Sequence, residues 1–155
     1  SLEEIAIRGY LMQGLGLATK RPWLALLITS LLFGLLHGAN PEVSNYGPLI
    51  MIYYIGTGLF LGLITLMDEG LELALGIHFA NNLCAASIVS YPSSVFVYPS
   101  VYQTNEMDLS SSLVGWFIMA SSVTLLFTFL FKWKDWSKIW TEIPELKVEL
   151  VEEHV

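Results

Sequence analysis

The chain has 155 residues, a formal net charge of -7, 54% hydrophobic residues and only 14% charged ones, with a mean hydropathy of +0.60. Soluble domains carry about a quarter charged residues, so the composition excludes an ordinary soluble globule and predicts an all-α polytopic transmembrane bundle of about five spans. Five of the fourteen acids, Glu142, Glu145, Glu149, Glu152 and Glu153, lie in the last fourteen residues, so the net charge describes a solvated tail and implies no basic partner.

Leu2 to Ala18 is apolar after its first turn and forms the first helix, up to a basic break at Thr19 to Pro22. The chain starts at Ser1, two residues before a charged motif and without a start methionine or signal peptide, and is expected to be a fragment with further helices upstream. Trp23 to Ala39 is the second span, stopped by Gly38, Ala39, Asn40 and Pro41. Asn40 to Gly47 is expected as a short polar loop.

Pro48 to Met67 supplies twenty nearly uncharged residues, the length a hydrocarbon core needs. Its Gly58 and Gly62 form a small-xxx-small pair suited to close helix approach. After a turn at Asp68 to Gly70, a fourth helix runs to about Tyr91 and holds the lone cysteine, Cys84, which is expected to be packed and inert. Pro92 to Ser112 shows no helical period and is the longest loop. Leu113 to Phe131 is the fifth span, closing a helical core over 1–131. Lysines interleaved with Trp133, Trp136 and Trp140 then form an interfacial anchor, followed by an acidic tail, over 132–155.

Alternating five spans places Lys20, Arg21, Lys132, Lys134, Lys138 and Lys147 on one side; the loops on the other side have no lysine or arginine. The positive-inside rule makes the first side, with the C-terminal tail, cytoplasmic. A multi-pass protein of the plasma membrane is expected.

Three polar clusters interrupt these spans. Glu4 and Arg8 stand four residues apart, the spacing for an ion pair along a helix, which leaves Glu3 on a neighbouring face. His37 ends the second span and reads either as structural or as part of a site. His78 and Asn82 share one face in mid-span, and an intramembrane ionisable group is a functional hypothesis by default; a packing hydrogen bond is the alternative. Together they suffice for hydrolysis, which needs a base for water and donors for an oxyanion. Glu3, His37 and His78 would also serve as three zinc ligands, although no HExxH is present and His154 is remote in the tail. A transporter lining and a non-catalytic membrane binding protein are the rival classes.

Glu3-Glu4-Ile-Ala-Ile-Arg8, Phe33-Gly-Leu-Leu-His37 and His78-Phe-Ala-Asn-Asn82 resemble the EExxxR, FxxxH and HxxxN motifs of the CPBP intramembrane proteases, the family of CAAX prenyl endopeptidases and bacteriocin-processing or immunity (Abi) proteins. The resemblance implies an intramembrane endopeptidase. In it Glu3 would activate water with help from His37, His78 and Asn82 would stabilise the oxyanion, and Glu4 and Arg8 would order the motif. The family is often labelled metalloprotease, but a metal-free glutamate mechanism is equally compatible, so a divalent metal such as zinc stays open. The expected partners are the lipid bilayer and a peptide or lipidated peptide, not nucleic acid.

Overall fold

A computed structural model describes residues 2–96, 98–105 and 107–144. Lys147, His154 and the acidic tail from Glu145 onward lie outside the described residues. Of the described residues, 73% are helical. Helix α1 (Leu2–Glu4) runs without a break into a π-helical segment, Ile5–Met12, and then into α2 (Gln13–Thr19). Lys20 closes this rod in the left-handed conformation at φ 57°, and Pro22 opens α3 (Pro22–Leu36), where its missing N–H costs nothing.

The loop expected at Asn40 to Gly47 is a helix, α4 (Pro41–Tyr46). Pro41 sits in its first turn beside Glu42, so the proline that reads as a stop for one helix is the start of the next. A 3₁₀ turn, Gly47–Ile50, links α4 to α5 (Met51–Asp68). Helix α6 (Glu72–Ser87) carries His78 and Asn82 and is shorter than expected, ending before Tyr91. The long loop is not structureless: β1 (Val89–Ser90) pairs in parallel with β2 (Tyr102–Gln103). Helix α7 (Leu109–Leu130) begins four residues before the expected Leu113, because Asp108 caps it by accepting the Ser110 and Ser111 N–H groups.

Among the described residues, two helical runs are long and apolar enough to cross a membrane, Pro41–Asp68 with 28 residues and Leu109–Leu130 with 22. Helix α3 is apolar but has only 15 residues, about 22 Å at 1.5 Å per residue, against a hydrocarbon core of about 30 Å. Five full-length spans are therefore not met by length alone.

Helix α5, nearly free of polar residues in the sequence, is the centre of the bundle. Its Phe60, Leu61, Ile64 and Met67 pack with Ala74 of α6, Ala120 of α7, and Trp133 and Ile139 of the segment that follows. The α3 to α5 crossing is tight because of two glycines. A Cβ on Gly58 would lie 2.9 Å from the Ser30 carbonyl oxygen, and one on Gly62 2.5 Å from Leu26 Cδ1. The pair read from the sequence as small-xxx-small is this contact. At the opposite end from α4, the chain after α7 folds back on the helix turns. Lys138 Nζ donates to the Met67 carbonyl at 2.9 Å, and Ile143 N–H to the Lys20 carbonyl at 2.9 Å.

Candidate active site

The polar residues of α1, the π-helix and α6 meet in one network. Glu4 and Arg8 have no exposed surface at all, and Arg8 Nη1 donates to Glu4 Oε1 at 3.1 Å. The second guanidinium nitrogen, Nη2, donates to the Gly58 carbonyl at 2.9 Å, tying the first helix to α5. Arg8 Cζ also lies 4.5 Å above the centre of the Phe33 ring, a cation–π contact that adds to the hold. The π-helix carrying Arg8 is itself informative, since such segments are rare and frequently occur at functional sites.

His78 stands between the two glutamates. Its Nδ1 is 2.7 Å from Glu4 Oε1, and its Nε2 is 3.3 Å from Glu3 Oε2. A carboxylate only accepts, so an ionised Glu4 places a proton on Nδ1. Glu3 differs from Glu4 in being 46% exposed: one carboxylate is locked into the bundle while the other faces open space. That space is a cavity of about 680 Å³ whose lining includes Glu3, His37, Tyr54, His78, Asn82 and Trp116.

His37 lies across the cavity wall on the C-terminal end of α3. Its Nδ1 is 2.8 Å from the Phe33 carbonyl. A carbonyl cannot donate, so Nδ1 carries the hydrogen and Nε2 of the neutral ring offers a lone pair. Tyr54 stacks on the imidazole at 4.8 Å between centroids, and the Tyr54 hydroxyl accepts from Asn40 Nδ2 at 3.1 Å. Asn82 is partly buried and lines the same cavity.

Thus Glu3, Glu4, Arg8 and His78 form one bonded cluster, and His37 and Asn82 share its cavity without joining that network. Cys84, expected to be packed, is exposed and lines the cavity as well. Among the described residues no three His, Cys, Asp or Glu side chains are grouped to hold an ion. Glu3, His37 and His78 as disposed do not make a three-ligand set.

The sequence reading missed Asn40, Glu42 and Tyr54. Asn40 and Glu42 were hidden because Asn40-Pro41 looked like a loop. Tyr54 carried a usable signal, since Tyr53 and Tyr54 are adjacent polar aromatics at the start of an otherwise apolar helix.

The family model described as type II CAAX prenyl endopeptidase Rce1-like matches residues 1–84, the part of the chain that contains all three motifs. The chain belongs to this family. Rce1-like membership implies an integral membrane protein, and the family is described as one of type II CAAX prenyl endopeptidases. An uncharacterized Bacillus subtilis (strain 168) protein, YyaK, is 38% identical over 96 residues, which is 62% of this chain and 32% of that protein. The matched region spans about a third of that relative's length. No solved structure matches the chain.

Proposed function

We propose that this chain contains the catalytic centre of an intramembrane endopeptidase that hydrolyses a peptide bond with water activated by Glu3. The observation that carries the reading is His78 held between a buried carboxylate, Glu4, and an open one, Glu3, at the wall of a cavity. Glu3 takes one proton from water as the water oxygen attacks the scissile carbonyl carbon. His37 Nε2, left as an acceptor by the Phe33 bond, receives the other hydrogen of that water and orients it.

The electron pair of the C=O bond moves to oxygen, and His78 Nε2–H and the Asn82 amide donate to the oxyanion. Glu4 makes this affordable by balancing the charge of a doubly protonated His78 through Nδ1–H. Protonation of Glu3 also releases Nε2–H from its 3.3 Å partner at the moment the oxyanion forms. The proton on Glu3 then passes to the leaving amine as the C–N bond breaks, which returns Glu3 to its carboxylate form. The substrate is a membrane-associated peptide or lipidated peptide.

In the membrane we place five passes: the Leu2–Thr19 rod, α3, α5, α6 and α7. Lys20, Arg21, Lys132, Lys134 and Lys138 share one end of the bundle, and the other end, with α4 and the β1–β2 pair, has no lysine or arginine. By the positive-inside rule the basic end is cytoplasmic.

The test is cleavage of a quenched peptide library, including prenylated and leader-type sequences, by the full-length protein in detergent. Glu3→Gln preserves shape and removes the base, so turnover falls by about 10² to 10⁴-fold with the unfolding midpoint unchanged. The same measurements with a chelator report on metal dependence. Equal turnover in Glu3→Gln refutes the assignment.

A further inference from the structure

The cavity contains a second acidic group that the hydrolysis above does not use. Glu42, in the first turn of α4, is 5% exposed and lines the same space as Glu3 and His37. Its Oε1 accepts the Val95 N–H at 2.9 Å and, at a long 3.5 Å, the Tyr91 hydroxyl. Its Oε2 is buried and has no hydrogen-bond partner among the described residues. None of the described residues lining the cavity is lysine or arginine. The guanidinium of Arg8 is committed to Glu4 and the Gly58 carbonyl.

A buried carboxylate oxygen without a donor lowers stability, and a carboxylate that served only to fasten the chain at Val95 would need just one oxygen. Glu42, facing a low-dielectric cavity whose described lining has no lysine or arginine, also sets up a field that attracts positive charge and repels negative charge. We infer that Glu42 is a specificity-determining residue that receives a basic side chain of the peptide substrate. The substrate's cation donates to Oε2, and the Tyr91 hydroxyl, held only at 3.5 Å, moves aside to admit it. The Val95 N–H fixes the carboxylate in advance, so little ordering is left to binding. With one oxygen already engaged, the free one suits the ammonium of lysine, a point donor, better than the two-pronged guanidinium of arginine.

This inference rests on the endopeptidase reading, and the experiment separates the two. A neutral fluorescent peptide is prepared as a set in which lysine, arginine, norleucine or glutamate occupies each position in turn. Binding by fluorescence anisotropy and cleavage are both measured with the full-length protein in detergent. At one position lysine is preferred over norleucine by about tenfold or more, with glutamate the poorest of the set. Glu42→Gln keeps an oxygen for the Val95 N–H but loses the charge, so the lysine to norleucine ratio falls to about one. Glu42→Lys inverts the order toward glutamate. A ratio unchanged by Glu42→Gln, or no lysine preference at any position in the wild type, overturns the inference. Cleavage without charge preference leaves the peptidase reading standing and this one refuted; a Glu42-dependent preference in binding without any cleavage does the reverse.

Discussion

Replacing Arg8 by methionine tests whether the Glu4–Arg8 pair holds the site together. Methionine keeps the apolar stem and removes two donors from a position with no solvent access. The Gly58 carbonyl loses its 2.9 Å partner and Glu4 Oε1 loses one of its two, while His78 retains the 2.7 Å bond to that oxygen. Glu4 Oε2 already has no partner among the described residues, so the carboxylate is left with a single donor. Removing one member of a buried pair costs about 3–5 kcal/mol. Glu4→Gln, which strands the guanidinium instead, costs a similar amount by the same argument. The double variant leaves no buried charge in the pair, and the Gly58 carbonyl, in the interior of α5, keeps its intrahelical hydrogen bond, so the loss is that of the Arg8 hydrogen bonds, about 0.5–1.5 kcal/mol each. The four proteins are compared by reversible unfolding in mixed micelles, followed by helical circular dichroism. A coupling of at least about 2 kcal/mol is expected for residues in one network. Single-variant losses that add to the double-variant loss within about 0.5 kcal/mol refute the reasoning.

Gly58→Val drives a branched side chain against the Ser30 backbone, where even a Cβ would sit 2.9 Å from the carbonyl oxygen. It is expected to cost about 1–3 kcal/mol and to lower peptide turnover as well, because the same residue's carbonyl anchors Arg8; a Tm within 1 °C or so of wild type, where about 1 kcal/mol is worth several degrees, counts against the close crossing. His37→Phe preserves the ring stack on Tyr54 but removes Nε2, so cleavage falls by about 10² to 10⁴-fold with little change in Tm. Turnover at wild-type level removes His37 from the water-binding role.

The motif residues were legible because the bilayer makes polar groups costly. Glu4, Arg8 and His78 had to find one another once they were placed in apolar helices, and the four-residue spacing of Glu4 and Arg8 named the first pair. The link from Glu4 to His78, 74 residues away, has no local signature; it depends on how α6 is set against the first helix. Which glutamate is buried was legible only through the Arg8 pairing. The π-helix from Ile5 to Met12 gives no sign in the sequence, and neither does the parallel β1–β2 pair, whose strands are two residues each. The misreading of α4 has a specific cause: Asn40-Pro41 ends α3 and starts α4 within a few residues, and the two signals share the same proline.

The chemistry and the packing of this chain depend on the same contact. Arg8 reaches the Gly58 carbonyl because Gly58 has no side chain, and for the same reason α3 lies close against α5 at Ser30. That crossing also brings the end of α3 to the start of α5, where His37 stacks on Tyr54 and Asn40 holds the tyrosine hydroxyl. Through Arg8 the glycine fixes Glu4, and through Glu4 it fixes His78. A single backbone position therefore sets both walls of the cavity, the side at His37, proposed above to orient water, and the carboxylate side at Glu3 and His78. Substitutions at the α3–α5 crossing should then change turnover and stability together, whereas those at Glu3, which is half exposed and touches only His78 in the cluster, should change turnover alone.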